Sequence, residues 1–269
     1  MRSARFVPLF ILLLVVVSAA AQQSTPPTAQ PPQRDTQALA AIQNAISMLG
    51  GPALSQVRDA SIQGNIQILS GSSQQGVSVV WEDAWGKGVT AFRRESHVGG
   101  SVSVLISNSG QPVDLQDGIT TKVPQHIGFS CAAIHLPGII LAAQLNNPAY
   151  SFQFMGTTAL NGLPAIHIQS ALSTDPIASA LSLQDWYFDS SSGLPLRVDY
   201  RIANSPDLMN PGIASMQFAN FQSVSGILVP FRLTETGLTG DQDVVTITSA
   251  TFNSNLSPSQ FLPTAGAAQ

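Results

Sequence analysis

The feature that most limits what this chain can fold into is a two-residue alternation of apolar and polar side chains. It recurs from Val57 almost to the end. In "DWYFDSSSGLPLRVDYR", Asp185 to Arg201, two such runs flank a Ser/Gly turn. In the second run Leu196, Val198 and Tyr200 fall on one face, and Arg197, Asp199 and Arg201 on the other. That period reads as a strand with one wet and one dry face, and the turn as a hairpin. "ASIQGNIQIL", "VSVVWEDAW", "GVTAFRRESH", "GSVSVLISNSG" and "QPVDLQDGITTKV" repeat the pattern. So do "YSFQFMGTTALNG", "LPAIHIQSAL", "GIASMQFANFQSVSG", "ILVPFRLTETG" and "DVVTITSATFN". The spacing predicts about ten or eleven strands. Strands and helices do not alternate, so a parallel sheet is excluded. A long antiparallel sheet with one dry face must curl into a barrel or be covered.

Few segments are available as covers. "TQALAAIQNAISMLGG" places Leu39, Ile42, Ile46 and Leu49 at helical spacing, with Asp35 or Thr36 as N-cap and Gly50-Gly51 as the stop. The meander breaks again at "FSCAAIHLPGIILAAQLNNP", where Ser130 can cap a turn and Pro137 can open a helix through Leu145. "DPIASALSL" reads as a short helical turn or loop. Two short helices at residues 36–49 and 131–146 are too little for so large a dry face. The remainder is expected to be a cavity able to hold an apolar ligand.

The chain opens with a secretory leader: Arg2 and Arg5, then an apolar run Phe6 to Val17, then Ala19-Ala20-Ala21. The run is short for a span of about 20 residues, so residues 1–21 read as a cleaved signal peptide and the processed chain as not membrane-spanning. Residues 22–35, rich in Pro, Gln and Thr, read as a flexible linker. Residues 36–269 read as a single domain. Charged residues make up 10% of the chain and apolar ones 44%. The net charge is −4, and Lys87 and Lys122 are the chain's lysines, which argues against nucleic acid as a partner. Cys131 is the lone cysteine, so an intrachain disulfide is excluded.

The order of elements resembles the outer-membrane lipoprotein-sorting (LolA/LolB-like) carrier fold. "GTTALNGLPAIHIQ", "WYFDSSSGLPLRVDY", "FANFQSVSGILVPFRLTETG" and "ITSATFNSNLSPSQFLP" carry the resemblance, and "GKGVTAFRRES" adds to it. It implies an N-terminal helix, an incomplete antiparallel barrel and helices that lid an apolar cavity. It also implies acyl-chain or lipoprotein cargo, and a buried arginine that holds the lid closed. Arg93 and Arg94 lie in the nearest strand and are the lid-holding candidates.

Catalytic signatures are weaker. "GFSCA", Gly128 to Ala132, approximates a nucleophile elbow with Ser130 as nucleophile and His97, His126, His135 or His167 as base. Its fifth residue is Ala rather than Gly and the α/β context is absent, so a helix cap is the plainer reading of Ser130. Cys131 reads as a small buried apolar residue rather than a thiol nucleophile. The histidines lack metal-ligand spacing, and Asp241 and Asp243 read as a solvated turn. Glu82, Asp83 and Glu95 read as charged pairs on adjacent strands.

The expected site is therefore an apolar cavity. Its wall is Trp81, Phe92, Phe152, Phe154, Trp186, Phe188, Phe218 and Phe231, and its lid Leu136, Ile139 and Ile140. The fold expected is mainly β (α+β): a curved antiparallel sheet forming an incomplete barrel, with an N-terminal helix and a short helical lid. The function expected is non-enzymatic periplasmic carriage of a lipid, acyl chain or lipoprotein, without metal or cofactor, with an envelope protein as a further partner. The alternatives are a filled-core structural or interaction module of the envelope and, third, a hydrolase using Ser130.

Overall fold

The computed structural model describes residues 32–69, 77–86, 90–108, 111–123, 134–202 and 211–263. The first helix, α1 (Thr36–Leu49), begins where Asp35 caps it, its carboxylate accepting from the Gln37 and Ala38 N–H groups at 2.7 and 3.1 Å. Its fully buried stripe is Ala38, Ile42, Ala45 and Leu49, with Leu39 and Ile46 partly buried beside it. The stripe is thus rotated toward two alanines, which allow close approach to the sheet. Gly50 ends the helix at φ 141°, and a Cβ there would lie 2.9 Å from the Gly226 carbonyl oxygen. Only glycine suits both the angle and the contact. Asp35→Ala is expected to cost about 1 kcal/mol, read by urea unfolding, through loss of this cap.

Among the described residues thirteen strands form one antiparallel sheet. They are β1 (Ala60–Leu69), β2 (Val77–Gly86), β3 (Ala91–Val98), β4 (Ser101–Asn108), β5 (Gln111–Gln116), β6 (Ile119–Lys122), β7 (Tyr150–Leu160), β8 (Leu163–Leu172), β9 (Gln184–Asp189), β10 (Pro195–Ile202), β11 (Gly212–Val224), β12 (Ile227–Thr236) and β13 (Gln242–Phe252). The order runs β6 back to β1, then β13 back to β7. The chain therefore winds once around, β1 pairs with β13, and the sheet stays open between β6 and β7. The two edges are joined in sequence by the segment that holds α2 (Pro137–Asn146). The count exceeds the ten or eleven expected. One reason is that "QPVDLQDGITTKV" folds back on itself at Asp117-Gly118, both at positive φ, to make β5 and β6.

The helices α1 and α2 pack on one face of the sheet, here the inner face. α3 (Pro176–Leu181) sits beside β8 and β10. On the outer face Phe261, 1% exposed, packs with Ala84 and Ala91, against a Gly86 where a Cβ would meet its ring at 2.5 Å. The first residues described also carry structure. At the end of the stretch read as linker, Gln33 to Asp35 run parallel to β7, with Phe152 N–H donating to Gln33 O and Asp35 N–H to Phe152 O at 2.8 and 2.9 Å.

Candidate functional site

The inner face is built from cross-strand rows, because residues opposite each other in register share a face. One row runs Phe154, Ile168, Trp186, Val198 and Met216 from β7 to β11, then passes through Glu235 and Asp243 to Ile68 on β1. Trp186 stacks on Phe188 and on Phe218, each with ring centroids 6.1 Å apart. Phe152, Trp186, Phe188 and Phe218 are buried; Phe154 and Phe231 are partly buried against the same core. Leu136, Ile139 and Ile140, the expected lid residues, are also buried in that cluster. Phe92 joins it beside Trp85, with ring centroids 5.7 Å apart. The structure thus gathers the described wall and lid residues in one packed core, with Phe92 contributed by β3 and the other wall rings by β7–β12. The side chain of Trp81 lies outside the described residues.

The acidic part of the row is electrostatically tense. Glu235 and Asp243 are direct cross-strand partners, and the Tyr200 hydroxyl donates to Glu235. Burial first, then the charges of Glu235 and Asp241, push the Asp243 carboxyl above its usual range. Burial and the neighbouring Glu235 push the Tyr200 hydroxyl up as well.

Helix α2 is apolar on most sides, with Ile139, Ile140 and Leu141 all buried, so packing does not orient it uniquely. Polar contacts fix it instead. At its N-terminal end His135 Nδ1 lies 2.7 Å from Asp83 Oδ2 on β2. Asp83 also accepts two bonds from Arg94 on β3, from Nε at 2.7 Å and Nη2 at 2.8 Å. Asp83 is fully buried; burial raises its pKa, but the charge and hydrogen bonds of Arg94, with those of His135, outweigh it and hold the carboxyl below its usual range. In its last turn, the buried Gln144 donates to Gln184 Oε1 at 2.7 Å and accepts from Ser170 at 3.2 Å. Trp186 Nε1 donates to the same Gln184 oxygen at 3.0 Å. At its C-terminal end Arg34 donates to the carbonyls of Leu145 and Asn147 at 2.7 and 3.1 Å, and its guanidinium lies 5.1 Å from the Phe152 ring centroid. A cation on terminal helix carbonyls satisfies acceptors that the helix itself leaves open.

The two lid-holding candidates are therefore on opposite faces. Arg94 points inward to Asp83 and approaches His135, while Arg93 pairs with Glu95 on the outer face. Arg34, in the supposed linker, and Gln144 were not legible as ties from sequence. The nearest signal was an Arg-Asp pair directly before a helix.

Other candidates are scattered. His97 lies on Glu95 at 2.6 Å, and His167 on Asp185 at 2.9 Å while stacked on Tyr187. Asp241 accepts from Thr239 within its turn. The Glu82 side chain, Ser130, Cys131 and His126 lie outside the described residues. Among the described residues no three or more His, Cys, Asp or Glu side chains gather to hold a metal ion.

Apart from the packed core, the inner face of β3–β5 carries a groove of about 280 Å³ lined by Arg94, Ser96, Ser103, Leu105, Asp114 and Val123. No helix of the described residues is long and apolar enough to cross a membrane.

No family model and no curated protein matches the sequence. Solved structures do match. A DUF1329 family protein from Desulfovibrio piger is 13% identical over 85% of this chain and 98% of its own, with a TM-score of 0.56. A domain described as an outer membrane lipoprotein-sorting protein from Vibrio parahaemolyticus is 13% identical over 84% and 96%, at 0.55. A LolA superfamily protein from Nitrosomonas europaea is 9% identical over 84% and 97%, at 0.58. At these identities the likeness is one of fold, and the fold of this chain is LolA-like.

Proposed function

We propose that the protein is a non-enzymatic periplasmic carrier of a lipid, acyl chain or lipoprotein, with α2 as the element that moves. The observation that supports this most is the way α2 is held: an apolar helix lying against α1 and β12 on the inner face, tied by a few polar contacts. An acyl chain that displaced α2 would cover the same aromatic surface, at about 0.8 kcal/mol per buried methylene. The apolar terms of the closed and loaded forms then nearly balance. The difference is left to the ties, Asp83–Arg94–His135 at one end and Arg34 at the other. The leader and the LolA-like fold support the periplasm as the compartment, and an envelope protein as donor or receiver of cargo.

A second reading is a filled-core envelope module without ligand. It is favoured by Phe152 and Trp186 being 0% exposed beneath the helices. Lipid extraction of protein purified from its own envelope, with titration of a fluorescent fatty acid, separates the two. Carriage predicts co-purified lipid and saturable binding; protein that arrives empty and ignores the probe would leave the filled-core module. In the same assay Arg34→Ala is expected to speed probe uptake and to raise amide exchange in α2 roughly ten-fold, as two charge-assisted bonds are lost. Unchanged exchange would mean that Arg34 does not restrain the helix.

A further inference from the structure

We propose that the groove on the inner face of β3–β5 is a head-group site for a zwitterionic amphiphile carrying a phosphate and an ammonium. The inference rests on lipid carriage and names the class of cargo. Arg94, Leu105 and Asp114 are direct register partners on three adjacent strands. A guanidinium, held on its other side by Asp83, and a carboxylate therefore stand two strand spacings apart, roughly 10 Å at the backbone, with an aliphatic side chain between them. Ser96 and Ser103 form the neighbouring row of the same lining. Ser103 donates to Asp114 at 3.3 Å, which directs that carboxylate along the groove wall.

The separation of charge is what selects the ligand. A purely anionic head would meet Asp114 as well as Arg94, and a purely cationic one the reverse. A head bearing both signs places phosphate by the guanidinium and ammonium by the carboxylate. About 280 Å³ lies near the lower end of small-molecule sites, roughly 300–1,000 Å³, and suits a head group rather than an acyl chain. Leu105 lines the groove and also packs against the main core. An acyl chain leaving the groove past Leu105 is thus directed to the surface that α2 covers. Arg94 belongs to the ties of α2, so a phosphate drawing on its guanidinium would loosen the helix as the head group arrives.

The test uses the full chain and monomeric short-chain lipids with identical tails, dihexanoyl phosphatidylethanolamine and dihexanoyl phosphatidylglycerol, in calorimetric titrations. The ethanolamine lipid is expected to bind about five-fold tighter, the worth of one ion pair at the groove wall. Asp114→Asn should remove that preference with an unchanged circular dichroism spectrum, and Asp114→Glu should restore it. Glycerophosphoethanolamine should compete, which places recognition in the head. Equal binding of the two lipids, or a preference that survives Asp114→Asn, overturns the head-group site and leaves carriage standing. Failure of both lipids also overturns the site, and overturns carriage too if the fatty-acid probe is ignored.

Discussion

Replacing Asp83 with alanine is expected to destabilise the fold by about 3–5 kcal/mol, the usual result of removing one partner from a buried ion pair. Asp83 is fully buried and holds Arg94 by two bonds and His135 by a third. Without it, a guanidinium is left on the inner face with its main counter-charge gone. Urea unfolding at neutral pH measures the loss. The double variant Asp83→Ala, Arg94→Met should recover part of it, because the orphaned charge goes too. The pH dependence has a definite sign. The folded carboxyl titrates below its ordinary value of 3.8. Its contribution is therefore complete above that value and is lost as pH falls through the lower, folded one. The gap between wild type and Asp83→Ala should accordingly be wide at pH 7 and narrow below about pH 3.8. A gap under 1 kcal/mol at pH 7 would mean that the pair does not hold the region together.

Trp186→Ala is expected to cost a similar amount, about 3–5 kcal/mol, as a large ring is deleted from a packed site. Trp186 is 0% exposed, stacks between Phe188 and Phe218, and donates to the Gln184 oxygen that also receives Gln144 of α2. Trp186→Phe keeps most of the packing and loses the hydrogen bond, so it should cost about 1 kcal/mol from that loss plus a smaller packing term. Thermal and urea unfolding of the pair would read the ring's environment. A ring facing open space would lose little on truncation, and a loss below about 1 kcal/mol for Trp186→Ala would indicate that.

Much of the architecture was legible because it follows from local chemistry. The first helix was readable from its spacing, its Asp35 cap and its Gly50 stop, and α2 from Pro137 at its start. The Ser/Gly hairpin after Asp189 was readable from its turn residues. What was not legible depends on distant register. Asp83 read only as a charged strand residue beside Glu82 and Glu95, and Arg94 as one of two lid-holding candidates, because sequence cannot say which strand face a distant helix will cover. The aromatic row presented the same difficulty. Alternation gives Phe154, Trp186 and Phe218 a common face, but the pattern is identical whether that face meets a cavity or a helix. Gly138 shows what the pattern hides: a Cβ there would meet the Leu54 and Leu49 side chains at 3.0–3.2 Å, so α2 lies close on the end of α1 and the turn that follows it. Arg34 escaped because an extended strand of three residues has no period to detect.

The pairing of β1 with β13 has a bearing on how the chain can assemble. Contacts elsewhere in the sheet join consecutive strands, so each half can zip up as a run of hairpins. The Asp59 carboxylate, by contrast, receives the Ser254 N–H across 195 residues of sequence. Loop closure of that length is slow and cannot begin until the last strand is available. The two hairpin runs are therefore wings that wait for one late seam, and the chain must stay unzipped along that line until β13 is available.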